Sequence, residues 1–461
     1  MQYTVSDIVE FIFFIEKKYN LLNYKIKGIY FWKIVRFNIF SKIAQITKVY
    51  DEAHPQKMQK KDFKYYIKRI KEEQKIIKFN ALKGDYKKDI LIFEHTRNTE
   101  IEGKNIDIYT YYIANELKNK KLDYECLQLK LLDKFTTIDN LRLAIIPFSK
   151  MYKKNISFHT EEINLLQKIE EEILKKFHVN VDVTFIVKKE IRNFINKYRY
   201  FDKLIKKRQP KKIYLVCSYG LEALIFAAKS HGVEVIEFQH GTMSRYHMGY
   251  SFPNNDYVPY FPDKILLFGK YWKDSTPLPL PEDCLIIYGY PYLDQQIKKY
   301  IDKTKTKNNN IVFLSQGTIG ERLSYIAYEF AKKNIEYHVF FKLHPSEFKI
   351  WKEKYSSLLK ASQLSNFQVI DENSKNLYEI FSKCEYQVGV YSTAIYEGIA
   401  MGLKTILVDL PGIEYMEYLI KKTIALKIKN EDELSMYIKQ NFEFNLCKKD
   451  YFFKDTYILQ E

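Results

Sequence analysis

Three short polar segments in the second half of the sequence have the residue types of a phosphate-binding site, and each follows a predicted strand. In an open parallel sheet, ligands bind beyond the carboxyl ends of the strands, so the three segments should lie at one edge. Any one of them alone is weak evidence, but three that converge favour a nucleotide site. The predicted nucleotide-binding residues are Gln316, Gly317, Thr318, His344, Pro345, Ser392, Thr393 and Glu397.

The His344-Pro345 pair gives this site its most specific chemistry. Proline fits the first turn of a helix, where its missing N–H would be unpaired anyway, so a helix is predicted over residues 347–360. His344 then lies just before that helix. Its imidazole can donate a hydrogen bond, or as imidazolium a charge, to a phosphate oxygen of a leaving nucleotide.

Ser392 and Thr393 open a helix predicted over residues 394–401. The free backbone N–H groups and the dipole of a helix N-terminus favour an anion, and the two hydroxyls add donors. Glu397 lies one turn further along and can accept hydrogen bonds from a ribose diol. Gly317 allows the backbone to approach a ligand closely.

Acid, base and anion-binding side chains also follow predicted strands in the first half of the chain. Group transfer to a hydroxyl needs a carboxylate or a histidine as general base. Glu94, His95, Glu222 and His240 each qualify, and the sequence does not choose among them. The predicted catalytic residues are His344, His240, Glu94 and His95, and the predicted acceptor-binding residues are Arg97, Ser218, Tyr219, Gln239, Gly241 and Arg245.

The elements that position these residues are short apolar runs alternating with helical segments, which predicts parallel βαβ units. A chain of 461 residues exceeds what one hydrophobic core usually supports. We therefore predict an α/β fold with two Rossmann-like domains facing across a cleft and a helical N-terminal extension. The predicted parts are a helical segment of the first domain (1–85), an acceptor-side domain (86–293), a linker (294–310), a nucleotide-binding domain (311–440) and a tail that packs back on the first domain (441–461).

The net charge of +17 calls for a polyanionic neighbour, although a genome rich in lysine codons would explain it equally well. No zinc-finger spacing, RNP signature or helix-turn-helix is found, so nucleic acid is not an expected partner. The five cysteines form no CxxC pair, which argues against a zinc site or a disulfide framework. No segment has the length and apolarity of a signal peptide or membrane span. We expect a cytoplasmic protein, with a peripheral contact to an anionic inner membrane as a further expectation.

Two segments resemble a known family. FKLHPSE (residues 341–347) and GVYSTAIYEGIAMG (residues 389–402) are similar to the His-Pro and Ser/Thr motifs of bacterial GT-B-fold glycosyltransferases, above all sialyltransferases and Kdo-type capsule or lipopolysaccharide transferases. FQHGT, DKILLFGKYW and YGYPYLD, between residues 238 and 294, look like the acceptor-side end of such enzymes. The resemblance covers about residues 210–415.

The resemblance implies that His344, Ser392 and Thr393 contact the phosphate of a nucleotide-sugar donor, with a CMP-sugar favoured and no further cofactor. It implies a nonulosonic acid or Kdo as the sugar and a capsule or lipopolysaccharide glycan, or a lipid-linked one, as the acceptor. The acidic motif that carries the base in several sialyltransferases has no counterpart here. No DxD motif is found, so metal independence is expected.

Three alternatives stay open. A CDP-polyol phosphotransferase has a similar His and Ser/Thr arrangement but moves a phosphate together with the polyol. A UDP-sugar 2-epimerase has two similar domains but needs several acid/base carboxylates in the cleft. A non-catalytic glycan-assembly subunit is the alternative outside the enzymes, and the intact His344 and Ser392 segments argue against it.

Overall fold

The structure is a computed structural model that describes residues 3–50, 63–95, 97–132, 135–137, 141–151, 153, 155–253, 255, 257–300, 309–372, 376–440, 442–445 and 449–455. Within these ranges the strands are β1 (Lys25–Ile26), β2 (Ile29–Tyr30), β3 (Ile90–Glu94), β4 (Asn98–Ile101), β5 (Lys104–Asp107), β6 (Tyr124–Gln128), β7 (Arg142–Leu143), β8 (Lys212–Val216), β9 (Glu234–Phe238), β10 (Lys264–Leu267), β11 (Leu285–Ile287), β12 (Asn310–Leu314), β13 (His338–Lys342), β14 (Phe367–Ile370), β15 (Tyr386–Gly389), β16 (Lys404–Val408) and β17 (Ala425–Ile428).

The α-helices of the same ranges are α1 (Val5–Tyr19), α2 (Phe31–Ile46), α3 (Phe63–Lys78), α4 (Thr110–Asn119), α5 (Thr160–Phe177), α6 (Val183–Arg208), α7 (Glu222–Ser230), α8 (Lys270–Ser275), α9 (Pro291–Tyr300), α10 (Gly320–Lys333), α11 (Trp351–Lys354), α12 (Ser356–Ala361), α13 (Leu377–Lys383), α14 (Thr393–Ala400), α15 (Glu417–Lys421), α16 (Glu431–Lys439) and α17 (Lys449–Phe452). None of them is both long and apolar enough to cross a bilayer.

The first domain is built on a seven-stranded sheet of order β11-β10-β9-β8-β3-β6-β7, in which the strand pairs are parallel. The chain builds outward from β3 to one edge and then returns to the other side of β3. All five residues of β3 are buried, because apolar clusters cover both faces of the sheet. Continuous apolar runs of this kind are typical of parallel strands enclosed on both faces.

The second domain has a six-stranded parallel sheet of order β14-β13-β12-β15-β16-β17. Counted along the chain, the order is 3-2-1-4-5-6, which is typical of Rossmann-like domains, and the first six strands of the other sheet follow it too. Phe313 of β12 lies between Phe341 of β13 and Val388 of β15. The predicted fold class, an α/β fold with two Rossmann-like domains and a helical N-terminal region, is confirmed.

The predicted linker begins inside a helix, because α9 extends to Tyr300. Residues 294–300 carry no apolar pattern of their own, but they continue a helix that Pro291 opens and that buries Tyr292 and Leu293. Asp294, taken for a linker residue, is buried and pairs with Lys449 at 2.5 Å. Residues 301–308, the centre of the predicted linker, lie outside the described residues.

A buried arginine helps to join the N-terminal helices to the first domain. Arg36 of α2 pairs with Glu16 of α1 at 2.7 Å, and both side chains are buried. The same guanidinium donates to the backbone oxygens of Met248 and Ser251, at 2.9 Å each. A buried charge is stable only when it is paired and hydrogen-bonded in this way, so Arg36 fixes α1 and α2 to the long loop after β9.

The chain ends by returning to the first domain. The Trp272 indole N–H of α8 donates to the Phe452 backbone oxygen of α17 at 2.7 Å. Gly269 leaves the room for this contact, since a Cβ there would come within 2.5 Å of the same oxygen. Tyr396 of α14 also packs on Phe452 and meets the Tyr271 hydroxyl at 3.0 Å. The last described helix therefore touches both domains.

Candidate active site between the two sheets

The strand order places the polar segments at the two points where ligands bind in such sheets. In the second domain the order reverses between β12 and β15, and the segments that follow these strands carry Gln316 and Ser392. In the first domain it reverses between β3 and β8, and the following segments carry His95 and Tyr219. A topological switch point forms a crevice at the carboxyl end of the sheet.

The two crevices face each other, and a pair of threonines forms a hydrogen-bonded contact between them. The Thr242 backbone N–H of the first domain donates to Thr393 Oγ1 of the second at 3.0 Å, and the two hydroxyls are 3.2 Å apart. A Cβ on Gly241 would lie 3.2 Å from Thr393 Oγ1. Thr393, expected to bind a phosphate, thus has a partner in the opposite domain. This contact sets the separation of the two domains beside the site.

Ser392 lies directly before α14, at the predicted start of the helix, and caps it. Its Oγ accepts a hydrogen bond from the Ala394 N–H at 3.2 Å. The cap uses the oxygen as acceptor, so the Ser392 O–H can still donate. An anion at this helix N-terminus would receive that donor together with the helix dipole.

The His344 segment differs from its prediction, because no helix begins at residue 347. Residues 345–350 form turns, and α11 and α12 follow as two short helices. The turn is closed by Glu347, whose carboxylate accepts from the His344 N–H at 2.6 Å and whose N–H donates to the His344 carbonyl at 2.8 Å. This local pairing replaces the helical hydrogen bonds that Pro345 was expected to start.

The Glu347 carboxylate accepts most of the hydrogen bonds that hold this segment in place. It is fully buried, and its Oε1 accepts from the Ser315 and Tyr355 hydroxyls at 2.8 Å each. Burial raises its pKa, and these hydrogen bonds partly offset that effect. One carboxylate therefore ties the segment after β13 to the segment after β12.

The tautomer of His344 follows from its neighbour. The Ser346 N–H donates to His344 Nδ1 at 3.2 Å, and the Ser346 hydroxyl lies 2.7 Å from the same nitrogen. Since Nδ1 accepts, the proton of the neutral ring is on Nε2. His344 is exposed, so this Nε2–H belongs to a ring at the surface of the crevice.

Gln316 and Thr318 are both bonded to Tyr391. Gln316 Nε2 donates to the Tyr391 carbonyl, and the Thr318 and Tyr391 hydroxyls are 2.6 Å apart. Thr318 and Tyr391, but not Gln316, border a cavity of about 470 Å³ between the domains. Its remaining walls come from α2, the turns that follow it, the segment after β9 and the segment after β16, and they are Phe37, Phe40, Ser41, Gln45, Tyr50, Thr242, His247 and Tyr415.

Glu397 lies inside the domain interface and not on the open edge. It is fully buried, and its Oε2 accepts from the Tyr378 hydroxyl at 3.1 Å. Burial raises its pKa, and the Arg97 guanidinium of the first domain partly offsets this. Its Oε1 has no hydrogen-bond partner among the described residues, so one acceptor remains for a ligand hydroxyl.

Opposite these segments, His240 is held between two tyrosines. Its Nε2 is 3.1 Å from the Tyr219 hydroxyl, and its Nδ1 is 3.2 Å from the Tyr250 hydroxyl. Tyr250 donates in turn to the fully buried Glu237. Burial holds the pKa of His240 well below its usual range and raises that of Glu237. The neutral imidazole is thus one link in a chain of proton donors and acceptors.

His95 stands beside this chain. Its ring lies 5.8 Å from that of His240 and meets Tyr109 edge-on at 5.4 Å. Burial, with the nearby charges of Arg97 and Lys130, lowers its pKa to about 4. Its Nδ1 is buried without a partner in the described part of the chain, so His95 is a neutral ring with an open acceptor or donor.

The other residues predicted for the acceptor side have varied positions. Arg97 donates to the Tyr109 hydroxyl at 3.1 Å and lies in the cleft. Ser218 and Gln239 are buried: the Ser218 N–H donates to Glu237 at 2.9 Å, and the Gln239 side chain bonds the backbones of Gly241 and Phe268. Ser218 and Gln239 therefore position the segments that carry the site and do not line it.

Glu94 and Arg245 lie apart from the histidines. Glu94 accepts from Gln128 and Thr136, at 3.0 and 2.9 Å, and borders a different cavity of about 740 Å³. Burial, together with Asp107, raises its pKa to about 7. Arg245 pairs with Glu10 of α1 at 2.7 Å on the surface. The structure does not bring either side chain together with His240.

Sequence reasoning missed Glu237 and gave Glu347 no role. Glu237 is the fourth residue of β9, a strand with an otherwise apolar inner run, and a carboxylate inside such a run is a detectable signal. Glu347 follows His344 by three residues, the spacing at which a carboxylate can accept from a backbone N–H. The sequence does not single out the tyrosines around His240 and Glu397 as site residues, because they are a few among 39 tyrosines in the chain.

The chain matches no protein-family model, and no curated protein matches its sequence. It is similar in structure to the UDP-GlcNAc 2-epimerase from Methanocaldococcus jannaschii, at 12% identity over 78% of this chain and 96% of that one, with a TM-score of 0.47. It is also similar to MurG from Acinetobacter baumannii, at 10% identity over 78% and 91% of the chains, with a TM-score of 0.42. The glycotransferase of kitacinnamycin shares 10% identity over 76% and 89%, with a TM-score of 0.45.

Proposed function

We propose that this chain is a glycosyltransferase that moves a sugar from a nucleotide-activated donor to a growing capsule or lipopolysaccharide glycan, with a CMP-activated nonulosonic acid or Kdo as the favoured donor. One observation carries the proposal. The exposed His344 and the capped helix N-terminus at Ser392 follow strands of one sheet, and Thr393, next to Ser392, accepts from Thr242, two residues after a histidine held by two tyrosines. The donor identity rests on the resemblance of the His-Pro and Ser/Thr segments.

The donor half of the site stabilises the leaving group. When the bond between the anomeric carbon and the phosphate oxygen breaks, the electron pair leaves with the nucleotide. His344 Nε2–H and the N-terminus of α14 donate to the phosphate oxygens on which this charge develops. No residue there needs to change its protonation state.

The acceptor half removes a proton. The acceptor hydroxyl attacks the anomeric carbon and gives its proton to Tyr219, which passes its own proton to His240 Nε2. His240 releases the Nδ1 proton to Tyr250, and Tyr250 releases its proton to Glu237. The three links from Tyr219 to Glu237 lie at hydrogen-bond distance, and the net effect is one proton moved from the acceptor to Glu237.

The first experiment is a thermal-shift series with CMP, CDP, UDP, UMP, GDP and ADP. A nucleotide at one hundred times its dissociation constant should stabilise the protein by about 2.7 kcal/mol. We expect a shift with CMP that His344→Ala abolishes. His338→Ala is the matched control, because His338 begins β13 at the opposite edge of the same sheet and packs on Phe340.

Other outcomes redirect or end the proposal. A preference for CDP indicates polyol-phosphate transfer, and a preference for UDP or GDP indicates another sugar transferase or a 2-epimerase. If no nucleotide changes the melting temperature, or if the two histidine variants respond alike, the nucleotide site is not where we place it.

A further inference from the structure

Helix α3 is a regular helix whose side chains are all exposed or half-buried. It is anchored by one acidic residue: Glu73 accepts from the Phe148 and Ser149 backbone N–H groups at 3.0 and 3.2 Å. The half-buried side chains Tyr65, Glu72 and Ile76 lie on the same side as Glu73. That side faces the protein, and the rest of the helix surface faces outward.

The outward surface carries an apolar stripe. At about 100° per residue, five large apolar side chains fall within one arc of about 100°, which begins beside Glu73, points away from Tyr65, Glu72 and Ile76, and contains Gln74 as its one polar member. They range from 38% exposed at Ile67 to 80% at Phe63. The members of this apolar stripe are Phe63, Tyr66, Ile67, Ile70 and Ile77.

A stripe of lysines runs beside the apolar stripe. By the same count, the next arc of about 80° contains lysine side chains only. The members of this lysine stripe are Lys64, Lys68, Lys71, Lys75 and Lys78. The helix thus has three sides, of which one faces the protein, one is apolar and exposed, and one is basic.

We propose that α3 docks this protein on an anionic membrane surface, with the apolar stripe at the level of the acyl boundary and the lysine stripe among the headgroups. Helices with this division of apolar and basic faces lie in the interface plane, and anionic lipids attract their lysines. The positive charge of the lysine stripe favours an anionic bilayer over a second copy of the chain as the binding partner of α3. A second copy of the chain would bring its own five lysines against these five, whereas an anionic bilayer neutralises them. The proposal is independent of the nucleotide chemistry.

The test is sedimentation of the full chain with vesicles of phosphatidylcholine alone and of phosphatidylcholine mixed with phosphatidylglycerol. We expect binding to the anionic vesicles only, weakened by salt. Changing the five stripe lysines to glutamine should lower the partition coefficient by about fivefold per lysine. Glutamine has nearly the helix propensity of lysine, so the helix itself is retained.

Two further variants separate the causes. Ile67→Gln, Ile70→Gln and Ile77→Gln together should lower binding even at high salt, because they remove the buried apolar area. A charge-matched control changes five exposed lysines of the second domain to glutamine and should bind as the unchanged protein does; these are Lys352, Lys354, Lys360, Lys429 and Lys439.

Three results would overturn the proposal. The protein could bind both vesicle types equally, or the control variant could lose as much binding as the stripe variant, which would assign the effect to net charge. Light scattering could instead show a dimer that the isoleucine variants dissociate, which would make a second copy the occupant of the apolar stripe. Nucleotide-induced melting shifts should be the same in all these variants.

Discussion

Replacing Glu347 tests whether the His344 segment is held in the way that the structure indicates. Glu347→Ala removes the acceptor of two buried hydroxyls, on Ser315 and Tyr355, and of the His344 N–H, which water can reach. An abandoned buried donor costs about 1–3 kcal/mol. Relief of the buried charge, visible in the raised pKa of Glu347, returns part of that cost. We expect a net loss of about 2–4 kcal/mol in the free energy of unfolding.

Glu347→Gln should be milder and should separate stability from binding. Its amide oxygen can still accept from the His344 N–H, while both hydroxyls can rotate to accept from the amide nitrogen. We expect a loss of about 1 kcal/mol with nucleotide affinity nearly kept, whereas the alanine variant should bind about tenfold more weakly or worse.

The assays are urea denaturation and titration with the nucleotide that gives the largest melting shift. Glu336→Ala, an exposed glutamate of the same domain, is the control. The reasoning is refuted if Glu347→Ala loses stability as expected but binds nucleotide as tightly as the unchanged chain. Glu347 would then hold the fold alone, and His344 would lie outside the site.

Two further predictions concern the first domain. Folding raises the pKa of Glu94 from 4.5 to about 7. The stabilisation that the protonated Glu94 gives to the fold is therefore complete below pH 4.5 and is lost as the pH rises through about 7, a change of about 3 kcal/mol in the free energy of unfolding. Glu94→Gln should abolish this pH dependence in urea titrations across the same range. A slope left unchanged in that variant would contradict the assignment. Gly269→Ala places a methyl group within 2.5 Å of the Phe452 oxygen and should destabilise the chain by about 1–3 kcal/mol, with faster proteolysis of the C-terminal segment as the visible sign. Equal proteolysis would show that α17 can shift without cost.

The sheets were accessible from the sequence because their strands are continuous apolar runs. Residues 90–93 and 311–314 are apolar throughout and leave no polar face, and such runs between helical segments favour buried parallel strands. The hydrogen bond that caps α14 is also local, since the Ser392 hydroxyl accepts from a backbone N–H only two residues along the chain. Local rules sufficed wherever the partner was a few residues away.

The contacts that assemble the site are not local. Thr242 and Thr393 meet across 151 positions of sequence, and Arg97 reaches Glu397 from the other domain. Nothing in either segment encodes the partner. The position of Glu94, in contrast, was open to prediction: neighbouring residues at a strand end point to opposite faces, so Glu94 and His95 could not both face the crevice.

The ion pair between Asp294 and Lys449 has a mechanical meaning. Asp294 lies in α9, the last helix before the second sheet, and Lys449 opens α17, the last described helix, so this pair joins two helices far apart in sequence at 2.5 Å. If the two domains move relative to each other, this ion pair holds α9 and α17 together and so restricts sliding of one helix along the other. A movement that widened the cleft between the domains would break the hydrogen bond between Thr242 and Thr393. Closure of the cleft would form that bond again and restore the same alignment of the two domains.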